Sequence, residues 1–180
     1  MSVRGPDDAL LSAPLDCAMP WSFAAGKAGC ELVRRNRQGE PLWRIAGSPA
    51  FDRATVGWNP VRFAGVYGSV ERAWSTGLGL SLLVLSLRDR GGLVLHAAAA
   101  AVDGHGILCV GASGAGKSTL ARLLDASGCM VLTDERPVLR QWPAPGGGIR
   151  SPSAGFRVYG SPWPSSAGFA RNGWAPLRRI

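Results

Sequence analysis

Lysine is almost absent from this chain of 180 residues, which contains only Lys27 and Lys117 although lysine and arginine together number 20. Aspartate and glutamate number 12, so the net charge of +8 comes from arginines scattered along the sequence. Proteins that bind nucleic acids usually gather basic residues into a dense patch interleaved with aromatic residues. The scattered charge therefore predicts no nucleic-acid partner, and a basic surface that favours ATP and an acidic substrate explains it equally well.

Cysteine pairs and long apolar runs are also lacking. Cys17, Cys30, Cys109 and Cys129 form no C-x-x-C pair and have no histidine at metal-ligand spacing, so no zinc site is predicted. We expect Cys109 and Cys129 to be small buried apolar residues. The most apolar window, residues 78–87, is too short to span a bilayer, and the first residues lack the apolar core of a signal peptide. The sequence thus predicts a cytoplasmic protein without a membrane partner.

The sequence does contain one specific motif, GASGAGKS at residues 111–118, which satisfies G-x-x-x-x-G-K-[ST]. Its glycines let the backbone curl so that successive N–H groups face phosphate oxygens. Lys117 would then reach the β- and γ-phosphates, and the Ser118 hydroxyl would reach Mg²⁺. The predicted ATP-binding residues are Gly111, Ala112, Ser113, Gly114, Ala115, Gly116, Lys117, Ser118 and Thr119.

The residues on either side of this motif favour a strand–loop–helix unit. Residues 106–110 are predicted to form a buried strand, and residues 117–127 a helix that ends at Gly128. Residues 93–102 form a second apolar run before an Asp-Gly turn, which indicates an antiparallel hairpin leading into the loop. We expect Leu120, Leu123 and Leu124 to form the buried face of the helix.

An acidic pair and a histidine are candidates for chemistry beside the loop. Asp134 and Glu135 follow a predicted strand at residues 130–133, where a carboxylate could reach Mg²⁺ or a nucleophilic hydroxyl. A solvated turn at the strand end is the alternative. His96 either lies at the phosphate end of the sheet or is an ordinary hairpin histidine, and His105 is expected to be exposed. Arg157 is a weaker candidate for contact with phosphate or substrate.

Two domains are predicted. Residues 1–66 are rich in proline and are expected to form a small lobe of strands and loops, with a hairpin joining strands 31–35 and 41–45. Residues 67–180 are expected to form the nucleotide-binding core, with a helix from 70 to about 87 and a loop-rich segment after residue 141.

Residues 91–170 resemble the HPr kinase/phosphorylase-like P-loop family, including the members found in lasso-peptide clusters. The resemblance rests on LVLHAAAAAVDGHGILCVGASGAGKSTLARLLDASGCMVLTDE followed by GFRVYGSPWPSSAG. It implies an α/β fold with a phosphoenolpyruvate-carboxykinase-like core, an antiparallel hairpin before the phosphate loop, and use of ATP and Mg²⁺. It also implies that His96 is an active-site histidine and that Asp134 deprotonates a seryl hydroxyl. Glu135 stands where the family usually has aspartate, and the core is expected to be short at its C-terminus.

The resulting prediction is an ATP-dependent kinase that transfers the γ-phosphoryl group to a hydroxyl, expected to be a serine of a peptide or small protein. The predicted catalytic residues are His96, Lys117 and Asp134, and the predicted metal ligands are Ser118, Asp134 and Glu135. Two alternatives stay open: an ATP-binding regulatory or accessory protein with little activity, and a conventional P-loop NTPase. The sequence also leaves open whether the protein forms a homo-oligomer.

Overall fold

A computed structural model of the protein describes residues 20–142 and 155–177. The fold is mixed α/β, with antiparallel sheets and few helices. The chain divides into two compact units, Met1–Ser86 and Leu87–Ile180. This division differs from the predicted boundary near residue 66, because the helices that follow that residue group with the preceding strands rather than with the second unit.

The first unit begins with a four-stranded antiparallel meander. Its strands are β1 (Trp21–Gly26), β2 (Gly29–Arg35), β3 (Pro41–Gly47) and β4 (Ala54–Trp58). The predicted hairpin between β2 and β3 is confirmed. Its turn forms because the Asn36 Oδ1 atom accepts the backbone N–H groups of Gln38 at 3.0 Å and Glu40 at 2.9 Å. Gly39 adopts the positive φ of 79° that this turn requires.

Among the described residues, three helices follow β4: α1 (Pro60–Tyr67), α2 (Val70–Ser75) and α3 (Gly77–Leu87). The predicted single helix over 70–87 is wrong, because the backbone breaks at Thr76 (φ −113°, ψ −107°). Helix α1 was missed, although Asn59 caps it by accepting the Arg62 N–H at 3.0 Å and Pro60 occupies its first turn. None of the helices in the described residues is both long and apolar enough to cross a membrane.

In its described residues, the second unit contains two antiparallel sheets and one helix that lies wholly within the unit. Its elements are β5 (Gly92–Val94), β6 (Ala97–Val102), β7 (His105–Val110), α4 (Lys117–Ala126), β8 (Met130–Thr133), β9 (Val138–Trp142), β10 (Gly155–Tyr159) and β11 (Trp174–Pro176). One sheet has the strand order β7-β6-β8, and the other has the order β11-β10-β9-β5. The prediction of a loop-rich segment after residue 141 missed β10 and β11, because both strands are short and lie among glycines and prolines.

The predicted hairpin before the glycine-rich motif is confirmed by the antiparallel pairing of β6 with β7. Asp103 (φ 49°) and Gly104 (φ 76°) both have positive φ at the turn, as a two-residue hairpin loop requires. The predicted long strand over 93–102 is wrong in one respect: it breaks at Leu95 and His96, and its first part belongs to the other sheet.

The alanine run of β6 lies between two packed layers. Ala98 and Ala100 pack against Ala121 of α4, whereas Ala99 packs against Val158 of β10 and Ala175 of β11. This alternation follows from the period of two in a strand, and the small side chains allow both layers to approach closely.

The predicted buried face of α4 is wrong for Leu120 and Leu123. Ala121 is only 1% exposed and Leu124 packs beside it, but Leu120 and Leu123 are 40% and 61% exposed. Against a strand surface made of alanines, a small helix residue forms the tightest contact, so the larger leucines turn outward.

Ala99→Leu is therefore expected to lower the free energy of unfolding by about 1–3 kcal/mol, because the added carbon atoms overpack the core between the sheets. The measurement is urea unfolding followed by circular dichroism. Ala126→Leu, at the exposed end of α4, is the matched control and is expected to change stability by less than about 0.5 kcal/mol. Equal stability of the two variants would contradict the tight packing of β6.

Candidate functional site

The chain passes between the two sheets of the second unit at His96. β5 pairs with β9 in one sheet and β6 pairs with β8 in the other. The residues that connect β5 to β6 also form backbone hydrogen bonds. The Leu95 N–H donates to the Pro137 carbonyl and the Ala97 N–H donates to the Glu135 carbonyl, each at 3.0 Å. This pairing places His96 beside the segment that carries the acidic pair.

A cavity of about 500 Å³ lies at this crossing. Its lining residues are His96, Ser113, Gly114, Gly116, Lys117, Ser118, Thr119, Asp134, Glu135, Ser165 and Ser166. Most of the predicted site residues are thus brought to one place, although they come from separate parts of the chain. Gly111, Ala112 and Ala115 do not line the cavity.

Ser165 and Ser166 were not predicted as site residues. They belong to the SPWPSSAG stretch that contributed to the family resemblance, but two small hydroxyl residues among prolines have no spacing that indicates a chemical role. Only the fold brings them next to the glycine loop, the name used below for residues 111–118.

The glycine loop curls where its glycines allow. Gly114 (φ 80°) and Gly116 (φ 86°) have backbone conformations that other residues rarely adopt. A Cβ atom at Gly111 would lie 3.0 Å from the Ala115 Cβ, so the loop is also tightly packed at its base. The Ala115 N–H donates to the Ala112 carbonyl at 3.2 Å and closes a turn. The three residues outside the cavity therefore shape the loop rather than face its interior.

Helix α4 begins directly after the loop, at Lys117. In the residues that the structure describes, no side chain caps this helix start at Gly116. The N–H groups of a first helical turn have no partner within the helix and carry partial positive charge, which suits a phosphate. The Lys117 Nζ atom donates to the carbonyl oxygens of Gly111 at 2.8 Å and Ala112 at 2.9 Å. The loop and helix therefore present several N–H groups and one ammonium group beside the cavity.

Asp134 is almost completely buried, with 1% of its surface exposed. Its Oδ1 atom accepts the Ser165 N–H at 3.0 Å, and its Oδ2 atom accepts the Ala167 N–H at 3.0 Å and also the Ser165 hydroxyl. The Ser165 Oγ atom lies 3.1 Å from the Ser118 Oγ atom. A chain of polar contacts therefore joins the buried carboxylate, through Ser165, to the start of α4.

The other predicted groups are more accessible. Glu135 forms an ion pair with Arg136, with 3.1 Å between the Oε1 and Nη2 atoms, and its side chain is 23% exposed. His96 is exposed at the cavity. His105 is exposed as predicted, and its Nδ1 atom lies 2.9 Å from the Asp103 carbonyl oxygen in the hairpin turn.

The cavity offers oxygen atoms of the kind that Mg²⁺ binds, but only two carboxylates, those of Asp134 and Glu135, line it. Within residues 20–142 and 155–177, no group of three or more His, Cys, Asp or Glu side chains could hold a metal ion. Magnesium is usually held by one or two carboxylates together with substrate phosphates and waters. Ser118, Asp134 and Glu135 offer a hydroxyl and carboxylates of this kind.

Arg157 takes no part in this cavity, which corrects its candidacy as a phosphate or substrate contact. Its guanidinium carbon lies 3.7 Å from the ring centroids of both Trp142 and Trp174. The three side chains stand on the adjacent strands β9, β10 and β11 and form a stack of one cation between two indole rings.

Arg157→Ala is therefore expected to destabilise the protein by about 1–2 kcal/mol, since both cation–π contacts are lost. Because Arg157 does not line the cavity, affinity for the nucleotide that the sequence predicts should stay unchanged. Thermal unfolding and calorimetric titration of the same variant measure the two effects. Arg157→Lys keeps the charge without the planar group and should fall between wild type and alanine. A loss of nucleotide binding without a loss of stability would place Arg157 at the site after all.

The described cysteines are poor candidates for catalytic residues. Cys30 is buried, but Cys109 and Cys129 are half-buried rather than fully buried as predicted. Burial raises the pKa of the Cys109 thiol above its ordinary value, so this residue is a poor nucleophile at neutral pH. Cys17 lies outside the described residues.

No protein-family model, curated protein or solved structure matches this chain.

Proposed function

We propose that the second unit has an HPr-kinase-like P-loop core of the phosphoenolpyruvate carboxykinase type. It binds ATP with Mg²⁺ and transfers the γ-phosphoryl group to a serine hydroxyl of a peptide or small protein. One observation carries this proposal: a single cavity is lined by residues of the glycine loop, among them Lys117, and by a buried carboxylate that is hydrogen-bonded to a serine hydroxyl. These are the parts that phosphoryl transfer to an alcohol requires.

The glycine loop and α4 would hold the phosphates. The uncapped first turn of α4 supplies N–H donors, and Lys117 supplies a positive charge at the cavity wall. The two carbonyl oxygens that bind the Lys117 ammonium group hold it close to the loop. A phosphate that enters the cavity would find the lysine already near it, which lowers the entropy cost of binding.

Asp134 is suited to remove the proton from an acceptor hydroxyl. Its carboxylate already accepts a hydrogen bond from a seryl hydroxyl, that of Ser165, so its geometry permits this contact. An acceptor serine would displace the Ser165 hydroxyl and take its place against the Oδ2 atom. A base within hydrogen-bond reach of the proton that it abstracts is the first requirement of general base catalysis.

Ser118 and Glu135 are better suited than Asp134 to bind the metal ion. Both Asp134 oxygens already accept hydrogen bonds from residues 165–167, and a metal ion would compete with them. When bound, Mg²⁺ would neutralise charge on the phosphate oxygens. His96 lines the same cavity and would orient a phosphoryl oxygen.

The test is incubation of the protein with Mg²⁺ and γ-labelled ATP, in the presence of a panel of serine-containing peptides. The expected result is transfer of label to peptide hydroxyls, identified by intact-mass analysis. Nucleotide binding without transfer would overturn the kinase proposal in favour of an accessory role. Phosphate release to water without any labelled peptide would overturn it in favour of a conventional NTPase.

A further inference from the structure

Ser165 already occupies the position that an acceptor hydroxyl would need. Its backbone N–H and its hydroxyl both donate to the Asp134 carboxylate. Its Oγ atom also lies 3.1 Å from the Ser118 Oγ atom, in the first turn of the helix that follows the glycine loop. The residue is half-buried in the cavity wall. A hydroxyl, a base and the phosphate-binding elements thus meet within one chain.

We propose that Ser165 is a self-phosphorylation site, an inference that rests on the proposed function. The Ser165 Oγ atom forms a bond with the γ-phosphorus of a nucleoside triphosphate while its proton moves to the Asp134 Oδ2 atom. The bond between the γ-phosphorus and the oxygen that bridges to the β-phosphorus breaks, and this oxygen leaves with the electron pair as part of the diphosphate. The products are phosphoserine and a nucleoside diphosphate.

The contacts favour Ser165 over the neighbouring serine. The Asp134 oxygens are bound by Ser165 and by the Ala167 N–H. Ser166 instead uses its carbonyl oxygen, which accepts a hydrogen bond from the Arg122 Nη2 atom at 3.1 Å. Position against the base therefore distinguishes two serines that are adjacent in the sequence.

The first experiment incubates the full chain with ATP and Mg²⁺ in the absence of peptide substrate. The expected product carries one phosphoryl group per chain, located by tandem mass spectrometry at Ser165 in the tryptic peptide of residues 158–171. Ser165→Ala should abolish the label. Ser127→Ala, at the exposed far end of α4, should keep it. A label on any other residue, or a label that persists in Ser165→Ala, would overturn the inference.

The second experiment measures whether residue 165 lies close to bound nucleotide, and it does not depend on phosphoryl transfer. In Ser165→Cys, saturating ADP with Mg²⁺ should slow alkylation of the introduced thiol by iodoacetamide by at least about tenfold, because the nucleotide covers the cavity. In Ser127→Cys the alkylation rate should stay the same. Equal rates at position 165 with and without bound nucleotide would show that this residue is remote from the phosphates, and would overturn the inference.

The two proposals fail in different ways. Transfer of label to peptides without any label on Ser165 would overturn the self-phosphorylation site and leave the kinase function standing. Absence of nucleotide binding, measured by calorimetric titration, would overturn both.

Discussion

Lys117→Ala is expected to weaken ATP binding by roughly 100-fold, since charged hydrogen bonds to phosphate contribute about 3 kcal/mol. A second effect adds to this loss. The ammonium group also holds the Gly111 and Ala112 carbonyls in the free protein, so the glycine loop loses two of its internal contacts. Isothermal titration calorimetry with ATP and Mg²⁺ measures the change in Kd.

The chain offers a matched control for this variant, because its only other lysine, Lys27, is exposed in the first unit. Lys27→Ala removes the same charge and should leave the Kd unchanged. Lys117→Arg keeps the charge but replaces a compact ammonium with a planar guanidinium, and should bind ATP more weakly than wild type. An unchanged Kd in Lys117→Ala would contradict the assignment of the glycine loop to phosphate binding.

Asp134→Asn is expected to lower the rate of phosphoryl transfer by roughly 10²–10⁴-fold, because the amide cannot accept the proton of the acceptor hydroxyl. ATP binding should persist, because the glycine loop and Lys117 are unchanged. The measurements are the transfer rate with labelled ATP and the Kd by calorimetry. Asp103→Asn is the matched control: Asp103 is exposed at a turn with positive φ, which asparagine tolerates.

The same variant also tests the structural role of Asp134. An asparagine amide nitrogen in place of either carboxylate oxygen would face a backbone N–H, that of Ser165 or that of Ala167, and could not accept its hydrogen bond. An unsatisfied N–H at this place costs about 1–3 kcal/mol, so urea unfolding should show a loss of this size. Transfer at the wild-type rate by Asp134→Asn would exclude Asp134 as the base, and unchanged stability would contradict its role in holding residues 165–167.

Local patterns were sufficient for some elements of the fold. The Asp103-Gly104 turn between apolar runs predicted the hairpin, and the Asn36–Gly39 turn predicted another, because turn residues with unusual φ act over a few neighbouring residues. Helix α4 and its end near Gly128 were predicted for the same reason. Strands β10 and β11 were missed, because short strands depend on pairing with distant neighbours more than on their own sequence.

The side-chain environments were harder to predict. The exposed positions of Leu120 and Leu123 follow from the flat alanine surface of β6, which cannot be read from the helix alone. The stacking of Arg157 between Trp142 and Trp174 depends on the pairing of three strands from separate parts of the chain. Burial and stacking are properties of the assembled layers, and the periodicity of one segment does not specify its neighbours.

The glycine loop could be recognised from residues 111–118 alone, because its glycines, lysine and serine act through backbone geometry within a few residues. The residues that surround the glycine loop in the cavity could not be recognised in this way. Asp134 contacts Ser165 across 31 residues of sequence, and His96 joins them because the chain changes sheets at that point. Packing of the second unit therefore determines which hydroxyl meets the carboxylate, since hydrogen-bond partners so distant in sequence are set by strand pairing and burial rather than by local spacing.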